Sequence, residues 1–142
     1  MKTVQEYINS NLMEWLSDHS ISYAMPAAKM DKGSLNILYT DRFCLKIYDG
    51  FGHGFGVVVN VTRNYDESIF ENDDFSLHWI FEFFRIRQTA TFVSRKADQY
   101  EKNLPFLMND IKLVLSRLNK MTSAEWEDMS IWIEKEAHKL FS

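Results

Sequence analysis

The sequence predicts an α+β fold in a single globular domain spanning residues 1–142: an N-terminal helix, a small antiparallel sheet, and a C-terminal helical pair packed on that sheet. Three observations predict it. Apolar residues recur at spacings of three and four near both ends of the chain, they alternate with polar residues between Leu35 and Thr62, and no linker, repeat or low-complexity tract divides the chain.

In order, Val4, Tyr7, Ile8, Leu12, Trp15 and Leu16 share one face of a helix over residues 3–18, which ends in Ser17, Asp18, His19 and Ser20. Pro26 lacks an amide donor and makes its surroundings a loop or a sheet edge. Asp31, Lys32 and Gly33 give a turn signal. Leu35, Ile37 and Tyr39 then alternate with Asn36 and Thr40. After Asp41, Phe43, Leu45 and Ile47 alternate with Arg42, Cys44, Lys46 and Tyr48, so one sheet face is expected to be apolar and the other wet. Residues 55–62, rich in β-branched Val57, Val58, Val59 and Val61, complete an antiparallel meander.

Asp73 or Asp74 is placed to cap a helix carrying Leu77, Ile80, Phe81 and Phe84, although the density of aromatics there also fits a strand. The β-branched run at 89–94 reads as a further strand. Tyr100, Leu104, Leu107, Met108, Ile111, Val114, Leu115 and Leu118 keep helical spacing, with Pro105 expected in the first turn or at a kink. The last helix starts near Ser123. Thr122 and Glu125 form a capping box there, Met121 and Trp126 a hydrophobic staple, and Trp126, Met129, Ile133, Ala137 and Leu140 the buried stripe. Lys135, His138 and Lys139 complement the negative end of its dipole.

With 46% hydrophobic and 25% charged residues the chain has the composition of a soluble protein with one core, and a lone Cys44 forms no internal disulfide. The N-terminus lacks the continuous apolar run of a secretory signal, and no apolar stretch is long enough to span a membrane. These features predict a cytoplasmic protein without membrane contact. A net charge of −4 argues against general nucleic-acid binding, which depends on neutralising phosphates with lysine and arginine.

Charge is segregated. Between Asn64 and Phe84 stand six acids (Asp66, Glu67, Glu71, Asp73, Asp74, Glu82) and no lysine or arginine, interleaved with Tyr65, Phe70, Phe75, Trp79 and three further phenylalanines. The remainder of the chain therefore sums to +2, with Arg85, Arg87, Arg95 and Lys96 clustered just downstream. Acids steer encounter with a basic partner and aromatic rings supply contact area, so Asp66, Glu67, Glu71, Asp73, Asp74, Phe70 and Trp79 are the expected partner-binding residues.

Other constellations fall short of a chemistry. Gly50, Gly52, Gly54 and Gly56 alternate with Phe51, His53 and Phe55, a pattern that is neither a dinucleotide fingerprint nor a P-loop and fits a hairpin connection. Cys44 shares a strand face with Arg42 and Lys46, cations that favour a thiolate, and His53 is a candidate base, but no third group orients them. His19, His53, His78 and His138 are scattered, and the acids lack an EF-hand arrangement, so neither metal nor cofactor is expected.

The small acidic domain, the N-terminal helix, the short central strands, the segment FSLHWIFEFF and the closing amphipathic helices together resemble the immunity proteins of bacterial polymorphic or contact-dependent toxin systems. The resemblance is one of organisation. It implies a cytoplasmic inhibitor that binds a cognate toxin domain, often a basic nuclease, and blocks its active site or substrate surface. Two other readings accommodate the same residues: a small enzyme or ligand-binding domain built around Cys44, His53 and the glycine-aromatic loop, and a homo-oligomer whose acidic and basic strips pair between copies.

Overall fold

The computed structural model describes residues 3–26, 33–50, 57–68, 75–90 and 97–141. The N-terminal helix is capped by the Thr3 hydroxyl, which accepts from the Glu6 amide, and runs as α1 (Val4–Tyr7), a π turn (Ile8–Leu12) and α2 (Met13–Asp18). The buried stripe explains the wide turn. Val4, Ile8, Leu12 and Leu16 are each at most 1% exposed and lie four residues apart. In a regular helix every such step overshoots a full turn by about 40°, so the stripe would wind away from the core. One turn in which the Met13 amide reaches back to the Ile8 carbonyl brings it back into line.

The helix ends in a Schellman motif, with the Ile21 amide on the Leu16 carbonyl (2.9 Å) and the Ser20 amide on that of Ser17 (3.1 Å). Ser20 sits at φ 57°, a left-handed conformation that costs a side-chain-bearing residue about 1–2 kcal/mol, against roughly 0.5–1 kcal/mol of extra chain entropy lost by glycine. Ser20→Gly is therefore expected to stabilise the fold by about 0.5–1 kcal/mol, read as a higher urea midpoint at unchanged slope. A lower midpoint contradicts it.

Five antiparallel strands follow in the spatial order β1-β2-β3-β4-β5: β1 (Ser22–Ala24), β2 (Ser34–Tyr39), β3 (Cys44–Asp49), β4 (Val57–Thr62) and β5 (Phe75–Ser76). The expected α+β fold and meander hold, with two short edge strands added. Gly33 enters β2 at φ 86°, where a Cβ would lie 2.5 Å from the Asp49 carbonyl oxygen; Asp31 and Lys32 of the turn signal lie outside the described residues.

The faces differ from expectation in two ways. Leu35, Ile37 and Tyr39 pair with Tyr48, Lys46 and Cys44, so they point away from the main core, while Leu38 joins Leu45, Ile47, Val59 and Val61 towards it. Alternation within a strand separates two faces without saying which one meets the helices. Nor is the second face wet. β3 is the central strand and is buried along its whole length, Cys44 at 0% and Lys46 at 2% exposure, with Leu35, Ile37 and Cys44 forming a second small core.

Three helices complete the fold: α3 (Leu77–Phe84), α4 (Ala97–Leu118) and α5 (Ser123–Phe141). Ser76 stands at the α3 cap without a side-chain bond, in place of the expected Asp73 or Asp74, which lie outside the described residues. The expected strand at 89–94 fails at its described end: Thr89 and Ala90 belong to no strand, and residues 91–94 lie outside the described residues. Their amides are taken instead by Asp110 of α4. That fully buried carboxylate accepts from the Thr89 amide (3.1 and 3.0 Å), the Thr89 hydroxyl (2.6 Å) and the Ala90 amide (2.8 Å).

The α4 stripe from Tyr100 to Leu118 is buried as expected, and of the two placements expected for Pro105 the first turn is excluded, since it lies inside the helix. Both Pro105 and Glu101, whose carbonyl loses an amide partner, are exposed, so water can serve that carbonyl. Tyr100 also ties three elements together. Its hydroxyl donates to Asp49 Oδ2 (2.6 Å), which also accepts from the Val4 amide (3.2 Å), placing a carboxylate at the positive end of α1. Burial and that carboxylate push the Tyr100 phenol well above its ordinary value. At α5 the capping box closes both ways (3.2 and 3.1 Å) and the staple residues Met121 and Trp126 are buried, whereas Leu140 is 68% exposed and leaves the expected stripe.

Candidate partner-binding cleft

The acidic segment begins by folding back over the second sheet face. Lys46 Nζ donates to Asp66 Oδ2 (2.9 Å) and to the Ser68 carbonyl (2.8 Å), while Asp66 Oδ1 accepts from the Ser68 amide (3.0 Å). This places a lysine side chain of 2% exposure against a carboxylate of 29% exposure. Burial acts to raise the Asp66 pKa, but the Ser68 amide and hydroxyl and the Lys46 ammonium outweigh it and hold the carboxyl at about 2. Asp66 is thus ionised and already matched to an internal cation. Beside it Tyr65 stands edge-on to Tyr39 (4.7 Å) and donates to Glu67 Oε1 (2.8 Å); burial and that carboxylate push its phenol up to about 12.

Cys44 lies under this segment, its Sγ 3.8 Å from the Asp66 carbonyl. Burial raises its pKa, overriding the nearby ammonium, so the expected bias towards a thiolate is reversed. His53, Gly52, Gly54, Phe70, Glu71, Asp73 and Asp74 lie outside the described residues.

From Asp66 the structure opens into a cleft of about 910 Å³ between the segment after β4 and the flank of α5. Tyr65 and Asp66 line it from the segment after β4, Phe75 and Trp79 from β5 and α3, and Glu127, Ser130, Glu134 and Ala137 from α5. These four recur at spacings of three, four and three, one stripe of α5 beside the buried Trp126, Met129 and Ile133. Of the expected partner-binding residues, Asp66 and Trp79 therefore meet in one cleft, and Glu67 lies exposed next to it. Glu127 and Glu134, both exposed, were not anticipated, although two acids seven residues apart flanking an apolar stripe were legible.

The cleft is acidic and aromatic. Arg63 is the one cation among its described lining residues, against Asp66, Glu127 and Glu134. Carboxylates around an indole suit an ammonium or guanidinium group, through charge-assisted hydrogen bonds and the negative face of the ring. Trp79 is half-buried, edge-on to Trp132 at 6.4 Å, so its position is set by packing before a ligand arrives. Trp126 also lines the cleft, while its indole nitrogen is buried and, among the described residues, meets no acceptor, a state that costs about 1–3 kcal/mol.

Of the basic cluster, Arg85 lines a different hollow. Arg85, at the left-handed end of α3, joins Arg117, Lys120 and the acid Glu125 around this hollow of about 350 Å³ beside Phe83 and Phe84, with Arg117 5.4 Å from the Phe84 ring centre. Arg95 and Lys96 lie outside the described residues. Among the described residues no group of three or more histidine, cysteine or acidic side chains is placed to hold a metal, and no helix is long and apolar enough to cross a membrane. Comparison with protein families, curated proteins and solved structures found no match to this chain.

Proposed function

We propose that this chain is an immunity-type inhibitor that binds and neutralises a basic toxin domain in the bacterial cytoplasm. The observation that carries the reading is the cleft of about 910 Å³ that Glu127 and Glu134 line together with Trp79 and Asp66. Carboxylates there can occupy the field that a nuclease presents to phosphate, raising the association rate, while the rings slow dissociation. The buried, raised Cys44 thiol weighs against the enzyme reading.

The test pairs the chain with the C-terminal domain of a large secreted protein encoded immediately upstream. Wild-type protein is expected to protect cells from that domain. Glu127→Gln/Glu134→Gln is expected to slow association about 10-fold at low salt and to flatten its salt dependence. Unchanged rate and unchanged salt dependence, or failure to protect, overturns the assignment.

A further inference from the structure

The geometry points to the hollow of about 350 Å³ where α3, α4 and α5 meet as a binding site for a phosphate monoester carried on a flat apolar group. It shares no lining residue with the acidic cleft, so the inference stands apart from the inhibitor reading. Its cations come from three places in the chain: Arg85 ends α3, Arg117 lies in the last turn of α4, and Lys120 follows that helix. Among the described residues no acid lies within ion-pair distance of any of the three. Glu125, the one acid on the described lining, accepts instead from the Thr122 amide (3.2 Å). Three cations against one acid leave an excess of +2, and a phosphate monoester, at about −1.5 to −2 near neutral pH, matches it where a lone carboxylate does not.

Two further features bear on the ligand. Arg117 is held in place before anything binds: its Nη2 donates to the Phe84 carbonyl (3.4 Å) and its guanidinium carbon sits 5.4 Å from the Phe84 ring centre. A guanidinium carries five donors, so most remain for a phosphate, and its plane stacks on flat groups. Phe83 and Met121 add apolar lining for the body of the ligand. Arg85 supplies the second feature. It occupies the left-handed position (φ 55°) of a Schellman motif, with its amide on the Glu82 carbonyl (3.2 Å) and the Ile86 amide on that of Phe81 (3.0 Å). Glycine fits that position without a Cβ penalty, so an arginine there works against the fold, and what it adds is the third cation on the hollow.

The probe is phenyl phosphate, with inorganic phosphate and benzoate as partial mimics, titrated at low salt into isotope-labelled protein and followed by NMR at the Arg85 and Lys120 amides. Phenyl phosphate is expected to bind about 10-fold more tightly than either mimic. Lys120→Gln and Arg85→Gly are each expected to weaken it about 10-fold, and Arg85→Gly also to raise the urea midpoint, so that binding falls while stability rises. No binding at millimolar phenyl phosphate, equal binding by a mimic, or binding indifferent to both variants overturns the site. A lower urea midpoint for Arg85→Gly does so too, because the arginine then serves the fold. Adenosine monophosphate and a capped phosphotyrosine peptide distinguish the sources of the phosphate: tighter binding of the first assigns a free nucleotide, tighter binding of the second a phosphorylated protein segment, and failure of both overturns the inference.

Discussion

Asp110→Ala is expected to lower the unfolding free energy by about 3–4 kcal/mol, the largest loss from any single polar side chain in the described fold. The carboxylate is fully buried and its bonds all reach one short segment, Thr89 and Ala90, about twenty residues earlier in the chain. Removing it leaves the amide of the fully buried Ala90 without an acceptor, at about 1–3 kcal/mol, and takes away charge-assisted bonds from Thr89, whose exposed side lets water recover part of the loss. Thr89→Val, which removes the hydroxyl's 2.6 Å bond to Asp110 and its 3.5 Å contact with the Phe106 carbonyl, is expected to cost about 1 kcal/mol. Asp110→Asn should fall between the two, because one oxygen remains to accept while the amide nitrogen faces donors. Urea unfolding at constant slope measures all three. An Asp110→Ala loss under about 1 kcal/mol would mean that the 88–90 segment is held by something other than this carboxylate.

The same residue shows where sequence reasoning stops. Position 110 falls among Leu107, Ile111 and Val114 on the apolar face of α4, so an acid there already signals a buried, partnered group; its partners depend on how the chain returns after α3, which no local pattern encodes. Several local signals were legible: the Thr122–Glu125 box closes, and the staple residues Met121 and Trp126 and the α4 stripe are buried as expected, because each rests on spacings of three to five residues. Lys46 is the opposite case. Alternation with Leu45 and Ile47 put it on a wet face, and the return of residues 65–68 across that face helps to bury it. In the cleft, Asp66 and Trp79 were visible as an acid and a ring in one charged segment, whereas Glu127 and Glu134 come from a helix some fifty residues later. Their i, i+7 spacing was visible. Their juxtaposition with Trp79 was not, since it follows from the packing of α3 on α5.

Breaking the Lys46–Asp66 pair from either side is expected to give unequal losses, and the inequality bears on the function. Asp66→Asn takes one carboxylate away from an ammonium of 2% exposure, and a weakened charged hydrogen bond at a buried donor costs about 1–3 kcal/mol, with the Ser68 carbonyl still 2.8 Å away. Lys46→Met leaves a carboxylate that is 29% exposed and still bonded to Ser68, so a loss of about 1 kcal/mol is expected, and the double variant should recover most of what Asp66→Asn lost. Acid reads the same pair. The Asp66 carboxyl is depressed from 3.8 to about 2 by folding, so its contribution is complete above the unfolded value and disappears as pH falls from about 5 to 2, an amount on the order of 2 kcal/mol. A chain carrying Asp66→Asn should therefore lose less stability than wild type across that window. If both variants unfold at the same urea concentration, the ammonium is not desolvated as its burial implies. Because Asp66 serves the fold first, its replacement mixes a loss of stability into any effect on the proposed partner binding, and the electrostatics of the cleft are read more cleanly through Glu127 and Glu134, which stand exposed on α5 without a burial penalty.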